Sequence, residues 1–326
     1  MNQRNLLLLD LAIASMLMLN WFQSNKEAEG QHDLLLPGLK ENLAYLDRVE
    51  IETFDESFSL VRKEEGWVLI EKDSYPVDFP ILSKLLNSLS GARLIEMKTS
   101  KPENFARLHL DDVSNEKGDS ILVSGFAPGF EFSVVVGKQA LNRQGQFIRM
   151  SGIDQAWLID KELEVSADMV SWLDPVIINI ENEQVSRIEQ YDSSGVLSFE
   201  IERADIGKAE ETSPFNLKDI PPGRSLKYPS ITDELKRSLV NVRFIDVSPH
   251  EPSRWESPTR MTFSLKDGAV VDVTAEKIDE KSWLHLLISD KRKDRNPVAL
   301  WDYEVSSYVY EDYDKEMEDL LEAEPE

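Results

Sequence analysis

The fold of this chain is decided by residues 48–100, which read RVEIETFDESFSLVRKEEGWVLIEKDSYPVDFPILSKLLNSLSGARLIEMKTS. Apolar and polar residues alternate from Arg48 to Phe54, and this period of two is typical of a half-buried strand. Farther on, four leucines between Leu82 and Leu89 have the spacing of a single helix face. The pattern predicts a helix at 78–90 and strands at 48–54, 58–63, 67–72 and 93–98.

A diverged copy of this unit returns between Val185 and Ser248. Tyr228-Pro229 repeats Tyr75-Pro76, and the exit segment RFID at 243–246 repeats RLIE at 93–96. Matching motifs in the same order at this distance are typical of a tandem duplication. The second copy is predicted to use the same arrangement of strands and helix as the first.

Each copy is followed by a predicted meander of short strands with turn residues between them. These strands are 120–126, 131–137, 146–150 and 155–159 in the first copy and 259–265, 270–275, 283–289 and 298–303 in the second. We therefore predict an α+β protein of two tandem-duplicated, mostly antiparallel β-rich domains, 39–175 and 176–326. Each has a helix packed on its sheet, and an acidic C-terminal helix closes the second.

The composition limits the range of partners. The chain has 326 residues, a net charge of −25 and no cysteine. Because nucleic-acid binding depends on Lys and Arg side chains that neutralise phosphates, the charge argues against a nucleic-acid partner. The lack of cysteine excludes disulfides, thiolate metal sites and a cysteine nucleophile.

The N-terminal residues predict a membrane anchor. Residues 1–5 carry Arg4, and residues 6–22 are largely apolar, at the short end of a membrane span. A net acidic tether, 23–38, follows, and this order of charges predicts a cytoplasmic N-terminus with the soluble domains outside. A cleaved signal peptide is the alternative. Within the span, Asp10 either reaches the lipid headgroups or contacts a partner in the membrane.

No motif in the sequence indicates a reaction. The four histidines are isolated in the sequence, and none has a carboxylate or second histidine at the i, i+4 spacing within a predicted helix; they are His32, His109, His250 and His285. His285 lies in a predicted strand, where a structural or surface role is expected. We therefore expect no catalytic residue, no cofactor and no metal ligand. A glycosidase-like pair among the 61 acidic residues stays open, because only distances identify one.

Several short motifs carry a family resemblance: GW at 66–67, YPVD at 75–78, KTS at 98–100, PENF at 102–105, GK at 137–138, WLID at 157–160, WLD at 172–174 and MEDLL at 317–321. The chain resembles a bacterial domain-of-unknown-function family that is encoded beside gliding-motility-type (Gld-like) ABC transporters. The resemblance implies a membrane-tethered extracytoplasmic protein that works with a transporter permease and ATPase. It carries over no catalytic residue.

The expected function is that of a non-enzymatic accessory or binding subunit of an ABC transport system, held in the bacterial inner membrane with its domains in the periplasm. A periplasmic module that binds a small molecule or glycan is the first alternative, and an envelope hydrolase is the second. Polar loops at 99–105 and 205–222 are candidate partner surfaces. The residues predicted to contact a partner are Asp10, Thr99, Ser100, Lys101, Asn104 and the loop tryptophan Trp255.

Overall fold

The computed structural model describes residues 33–116, 118–141, 145–203, 215–290 and 296–323. The chain divides into two compact units, which meet in the sequence between Trp172 and Leu173. Each unit is built on one large sheet, and every pairing of the described strands is antiparallel. The predicted α+β class with mostly antiparallel sheets is confirmed.

The first unit contains nine described strands in the order β4-β3-β2-β1-β6-β7-β8-β9-β5. They are β1 (Arg48–Glu52), β2 (Ser57–Lys63), β3 (Gly66–Leu69), β4 (Tyr75–Pro76), β5 (Leu94–Met97), β6 (Ile121–Ala127), β7 (Phe130–Gln139), β8 (Gln146–Met150) and β9 (Ala156–Ile159). Its α-helices are α1 (Leu39–Asn42) and α2 (Phe79–Gly91). Its 3-10 helices are Leu43–Tyr45, Ile70–Lys72, Pro102–Asn104, Ala106–Leu108 and Met169–Trp172.

Local sequence explains the main elements of this unit. In β1 the alternating apolar side chains Val49 and Ile51 are fully buried. The four inward-facing leucines predicted for the helix are all buried in α2. The Asp78 side chain, which the sequence predicts as the helix cap, makes no capping hydrogen bond. Instead, the Asp78 backbone carbonyl accepts hydrogen bonds from the N–H groups of Ile81 and Leu82.

The second unit contains ten described strands, eight of them in a sheet of order β13-β12-β11-β16-β17-β18-β19-β15, while β10 pairs with β14. They are β10 (Val176–Ile178), β11 (Val185–Tyr191), β12 (Leu197–Arg203), β13 (Phe215–Leu217), β14 (Val242–Arg243), β15 (Asp246–Pro249), β16 (Thr259–Leu265), β17 (Val270–Ile278), β18 (Lys281–Ser289) and β19 (Trp301–Val305). Its α-helices are α3 (Ile231–Leu235), α4 (Ser307–Tyr310) and α5 (Met317–Leu320). Its 3-10 helices are Asn182–Gln184, Lys236–Leu239, Pro252–Arg254 and Pro297–Leu300.

The two sheets use the same order of strands. The order β13-β12-β11-β16-β17-β18-β19-β15 corresponds strand for strand to β3-β2-β1-β6-β7-β8-β9-β5. The exit strand aligned by sequence at 243–246 is displaced, because Arg243 ends β14 and the strand that corresponds to β5 begins at Asp246. The helix predicted over 232–241 is only α3 followed by a 3-10 turn.

The two ends of the described chain pack on their own units. Leu35 and Leu36, within the predicted tether, are buried, and the Leu35 N–H donates to the Ala92 carbonyl. At the other end the predicted helix is broken into α4 and α5, with Tyr310 and Tyr313 buried. The Tyr313 hydroxyl donates to the backbone carbonyl of Ser238.

No helix in the described ranges is long and apolar enough to cross a membrane. The predicted span, 6–22, lies outside these ranges, as does Asp10.

Candidate functional site

The buried carboxylate of Asp302, near the edge of the second sheet, is surrounded by polar side chains. Asp302 lies in β19, opposite Ser248 of β15 on one side and opposite His285 of β18 on the other. Since residues that face each other across antiparallel strands lie on the same side of the sheet, these side chains share one face. Residues 250–258, which we call the clasp loop, follow β15 and bring His250 and Arg254 to the same carboxylate.

The two oxygens of Asp302 have different partners. Oδ1 lies 2.6 Å from His250 Nδ1 and 3.2 Å from His285 Nδ1. Oδ2 accepts a hydrogen bond of 3.1 Å from the Glu251 backbone N–H and lies 3.3 Å from the guanidinium of Arg254. The Asp302 side chain has no exposed surface, so these four groups replace its contact with water.

The surroundings keep Asp302 ionised. Burial acts to raise the pKa of this carboxyl, but hydrogen bonds from His285, His250 and the Glu251 N–H outweigh burial, so its pKa lies below the ordinary value. The His285 Nδ1 also lies 3.0 Å from the Trp301 carbonyl oxygen. The buried negative charge therefore has two imidazoles and one guanidinium as its partners.

Aromatic rings enclose the cluster. The His250 and His285 rings stack with their centroids 3.7 Å apart, and the Trp255 ring lies 6.3 Å from that of His285. The Arg254 guanidinium lies over the Trp283 ring at 4.5 Å and donates a 2.7 Å hydrogen bond to the Ser248 hydroxyl. These contacts restrict the rotation of the imidazoles and of the guanidinium.

A second carboxylate holds the far end of the clasp loop. The backbone N–H groups of Glu256 and Ser257 donate hydrogen bonds of 2.9 and 2.8 Å to the two carboxylate oxygens of Glu276 in β17. Asp302 binds the N–H of Glu251 near the start of the loop. The loop is thus fixed to the sheet at both ends, which sets the positions of His250 and Trp255.

The cluster brings together ligand atoms that suit a cation. His250, His285 and Asp302 each offer one nitrogen or oxygen, and these atoms lie within 4.8 Å of one another. Both imidazoles are partly exposed, with 27% and 15% of their side-chain surface accessible. Solvent therefore reaches the imidazoles while the carboxylate stays buried.

The expectation that the histidines are isolated is wrong for His250 and His285. They are 35 positions apart in the sequence, and Asp302 follows His285 by another 17, so no local spacing reveals them. Two sequence features point to the site: Asp302 is an acidic residue between two aromatic residues of a strand, and His285 lies among the apolar residues of β18. His109 lies 3.7 Å from the carboxylate of Asp119 in the first unit, and both side chains are well exposed.

The structure places the predicted contact residues in different surroundings. Thr99 Oγ1 accepts hydrogen bonds from the Lys101 backbone N–H at 3.2 Å and from the Asn104 side chain at 3.4 Å. The side chains of Thr99 and Asn104 therefore stabilise the turn to which they belong. Ser100 and Lys101 are exposed. Trp255 belongs to the clasp loop, and its indole Nε1 is buried with no hydrogen-bond partner among the described residues.

Part of the second candidate loop is a strand. Residues 204–214 lie outside the described ranges, while Phe215–Leu217 forms β13 and pairs with β12. Phe215 is buried beneath the guanidinium of Arg203, at 5.1 Å. The segment predicted as a polar loop therefore supplies a sheet edge in its second half.

A charge network on β11 and β12 is internally paired. Arg187 lies 3.0 Å from both Glu189 and Glu200, and Lys218 lies 2.8 Å from Glu200. The hydrogen bond from Lys218, together with the charge of Arg187, lowers the pKa of Glu200 against the opposing effect of burial. Because these charged side chains pair with one another, we assign the network to stabilisation of the sheet and not to ligand binding.

An apolar groove lies on the first unit. It encloses about 580 Å³ and is formed by residues of α2, β3 and β4 together with the turn at Leu43. Its walls are mainly apolar: Leu43, Ala44, Trp67, Pro76, Val77, Phe79 and Leu86. Phe79 remains 53% exposed, and Arg62 fixes the adjoining turn with a 2.7 Å hydrogen bond to the Ala44 carbonyl.

Fold and site together define a class of protein: two α+β units with the same strand order, and an imidazole–carboxylate cluster on the second unit. A model of the DUF4340 family, a domain of unknown function, matches residues 67–258, and the chain belongs to this family. The match begins in β3 and ends in the clasp loop, so it includes His250 and Trp255 but not Asp302. No curated protein and no solved structure matches the chain.

Proposed function

We propose that this protein is a non-enzymatic accessory subunit of an ABC transport system, which its N-terminal segment anchors in the bacterial inner membrane. In this proposal the two units lie in the periplasm and hold a protein partner there. The observation that carries the proposal is the apolar groove of the first unit. An exposed apolar surface with a polar rim is typical of a site of protein–protein contact.

The position of the groove in the chain supports a partner at the membrane. The predicted span ends at Phe22, and the groove begins with Leu43. Even a fully extended chain between these residues spans no more than ~75 Å. The groove therefore stays within reach of a periplasmic segment of the permease, and its apolar walls favour an apolar segment.

The common strand order supports a structural role for the repeat. We infer that the two units arose by tandem duplication, because eight strands of each sheet follow the same order. The second unit has diverged in its surface, since the imidazole–carboxylate cluster includes β15, β18 and the clasp loop. One unit is thus proposed to hold the partner, while the other has acquired a separate site.

The proposal is tested by affinity purification of the tagged full chain from native membranes in a mild detergent. Phe79→Glu places a charge in the groove, whereas Ile81→Glu places the same charge on the same helix outside the groove lining. We expect the wild type and the Ile81 variant to recover the permease and ATPase, and the Phe79 variant to lose them. Recovery of no transporter subunit by the wild type would refute the proposal.

A small-molecule or glycan-binding module is the second candidate, because the groove volume lies in the range of small-ligand sites, about 300–1,000 Å³. Metabolite and oligosaccharide screening of the full chain by thermal shift distinguishes the two functions. A ligand that stabilises the wild type but not Phe79→Glu, without recovery of transporter subunits, supports this second function.

A further inference from the structure

We infer that His250, His285 and Asp302 form a binding site for a divalent first-row transition metal ion. The proposed ligand atoms are the two Nδ1 nitrogens and Oδ1 of Asp302. Two imidazoles and one carboxylate suit ions such as Zn²⁺, whereas Mg²⁺ and Ca²⁺ prefer sites built from oxygen. This inference is independent of the proposed function, because it concerns the second unit and requires no partner.

The two carboxylate oxygens of Asp302 have different partners, and this difference supports the metal-site assignment. Oδ2 is held by the Glu251 N–H and by Arg254, while the partners of Oδ1 among the described residues are the two imidazole nitrogens. Metal-binding carboxylates are commonly oriented in this way by hydrogen bonds from outside the coordination sphere. Arg254 is itself fixed by Ser248, so the orientation of the carboxylate does not depend on the ion.

The distances from the two imidazole nitrogens to Asp302 Oδ1 are close to those between ligand atoms around a bound ion. With bonds of about 2.0–2.1 Å, the ligand atoms of a tetrahedral zinc site lie roughly 3.3 Å apart. The 3.2 Å between His285 Nδ1 and Asp302 Oδ1 already meets this distance. The 2.6 Å between His250 Nδ1 and Asp302 Oδ1 must lengthen by less than ~1 Å to reach it.

Metal binding competes with hydrogen bonds that the cluster makes without an ion. The Trp301 carbonyl lies 3.0 Å from His285 Nδ1, so coordination requires the imidazole proton to reside on Nε2. Three protein ligands leave at least one coordination position open. The Trp255 ring lies 6.3 Å from that of His285, and its indole N–H has no hydrogen-bond partner among the described residues.

The test is isothermal titration of ZnCl₂ into the full chain, purified in mild detergent without a histidine tag and treated with a chelator. We expect saturable binding of one ion per chain. His250→Gln and His285→Gln are each expected to weaken binding more than ~100-fold, because loss of an outer-shell partner alone costs about 10–100-fold. His109→Gln removes an exposed histidine beside Asp119 and is expected to leave the affinity unchanged.

Circular dichroism of the metal-free variants separates loss of the site from loss of the fold. His250→Gln replaces a partly exposed side chain of the clasp loop and changes no strand residue, so its far-ultraviolet spectrum is expected to match that of the wild type. Absence of saturable binding by the wild type overturns the inference. Equal zinc affinity of the wild type and the folded His250 and His285 variants overturns it as well, because the ion then binds elsewhere.

Discussion

Replacement of Asp302 by asparagine tests whether this carboxylate organises the second unit. The substitution keeps the shape of the side chain but removes the charge that faces His250, His285 and Arg254. The NH₂ group of the new asparagine side chain is a hydrogen-bond donor, and the groups that surround it in the wild type are themselves donors to Asp302. The protein is measured in the presence of a chelator, so that the result reports folding and not metal binding.

The expected loss of stability follows from the burial of the cluster. Asp302 is completely buried and has four donor groups around it. Removal of one partner from a buried ion pair costs about 3–5 kcal/mol in the free energy of unfolding. For a unit of about 150 residues, each kcal/mol lowers Tm by roughly 2–4 °C, which predicts a fall of about 6–20 °C.

Differential scanning calorimetry measures this change, and Glu304→Gln is the matched control. Glu304 lies in the same strand, and its carboxylate lies 2.7 Å from the Lys281 ammonium; the two side chains are 15% and 54% exposed. Because solvent screens the lysine, this pair is expected to contribute about 1 kcal/mol, so the control is expected to lower Tm by ~4 °C at most. Equal Tm values for the two variants would show that Asp302 does not organise the unit.

Two further predictions concern stability outside the neutral range. The folded state lowers the pKa of Glu200, so its contribution is present above the unfolded pKa of about 4.3 and is lost as pH falls through the lower folded value. Glu200→Gln should therefore lower Tm at neutral pH, and the difference in Tm between this variant and the wild type should become smaller in acid. Burial raises the pKa of Tyr313, so the wild type should lose stability as pH rises above ~10, where the unfolded tyrosine ionises. Tyr313→Phe should reduce that alkaline loss, with Tyr310 still contributing to it, and cost about 1 kcal/mol at neutral pH through the lost hydrogen bond to Ser238.

Each of these variants has a control on the surface. Glu96→Gln breaks a pair with Lys98 in which the glutamate is 59% exposed, and it should leave the acid dependence unchanged. Tyr308→Phe changes a tyrosine that is 80% exposed, and it should leave the alkaline dependence unchanged. Thermal unfolding followed by circular dichroism across the pH range measures all four variants. Parallel profiles for a test variant and its control would contradict the assignment of the titrating group.

Much of the fold follows from local patterns in the sequence. The predicted strand at 146–150 is β8 itself, and the predicted helix at 78–90 is displaced by one residue as α2. These elements are predictable because burial alternates every two residues in a strand and every three to four in a helix. The alignment of RFID at 243–246 with RLIE at 93–96 predicts an exit strand that ends at Asp246, whereas in the structure Asp246 is the first residue of β15. A motif aligns residues by type, whereas strand pairing depends on partners elsewhere in the sheet.

The sequence by itself determined the α+β class, the repeated order of elements and the predicted apolar N-terminal segment, because these depend on composition and on short-range periodicity. Only the tertiary structure decided the candidate site. His285 meets Asp302 through the register of β18 with β19, and His250 reaches the same oxygen because the clasp loop is fixed to Asp302 and Glu276. Register and loop closure are set by contacts between residues far apart in the chain, so no local spacing reveals this cluster.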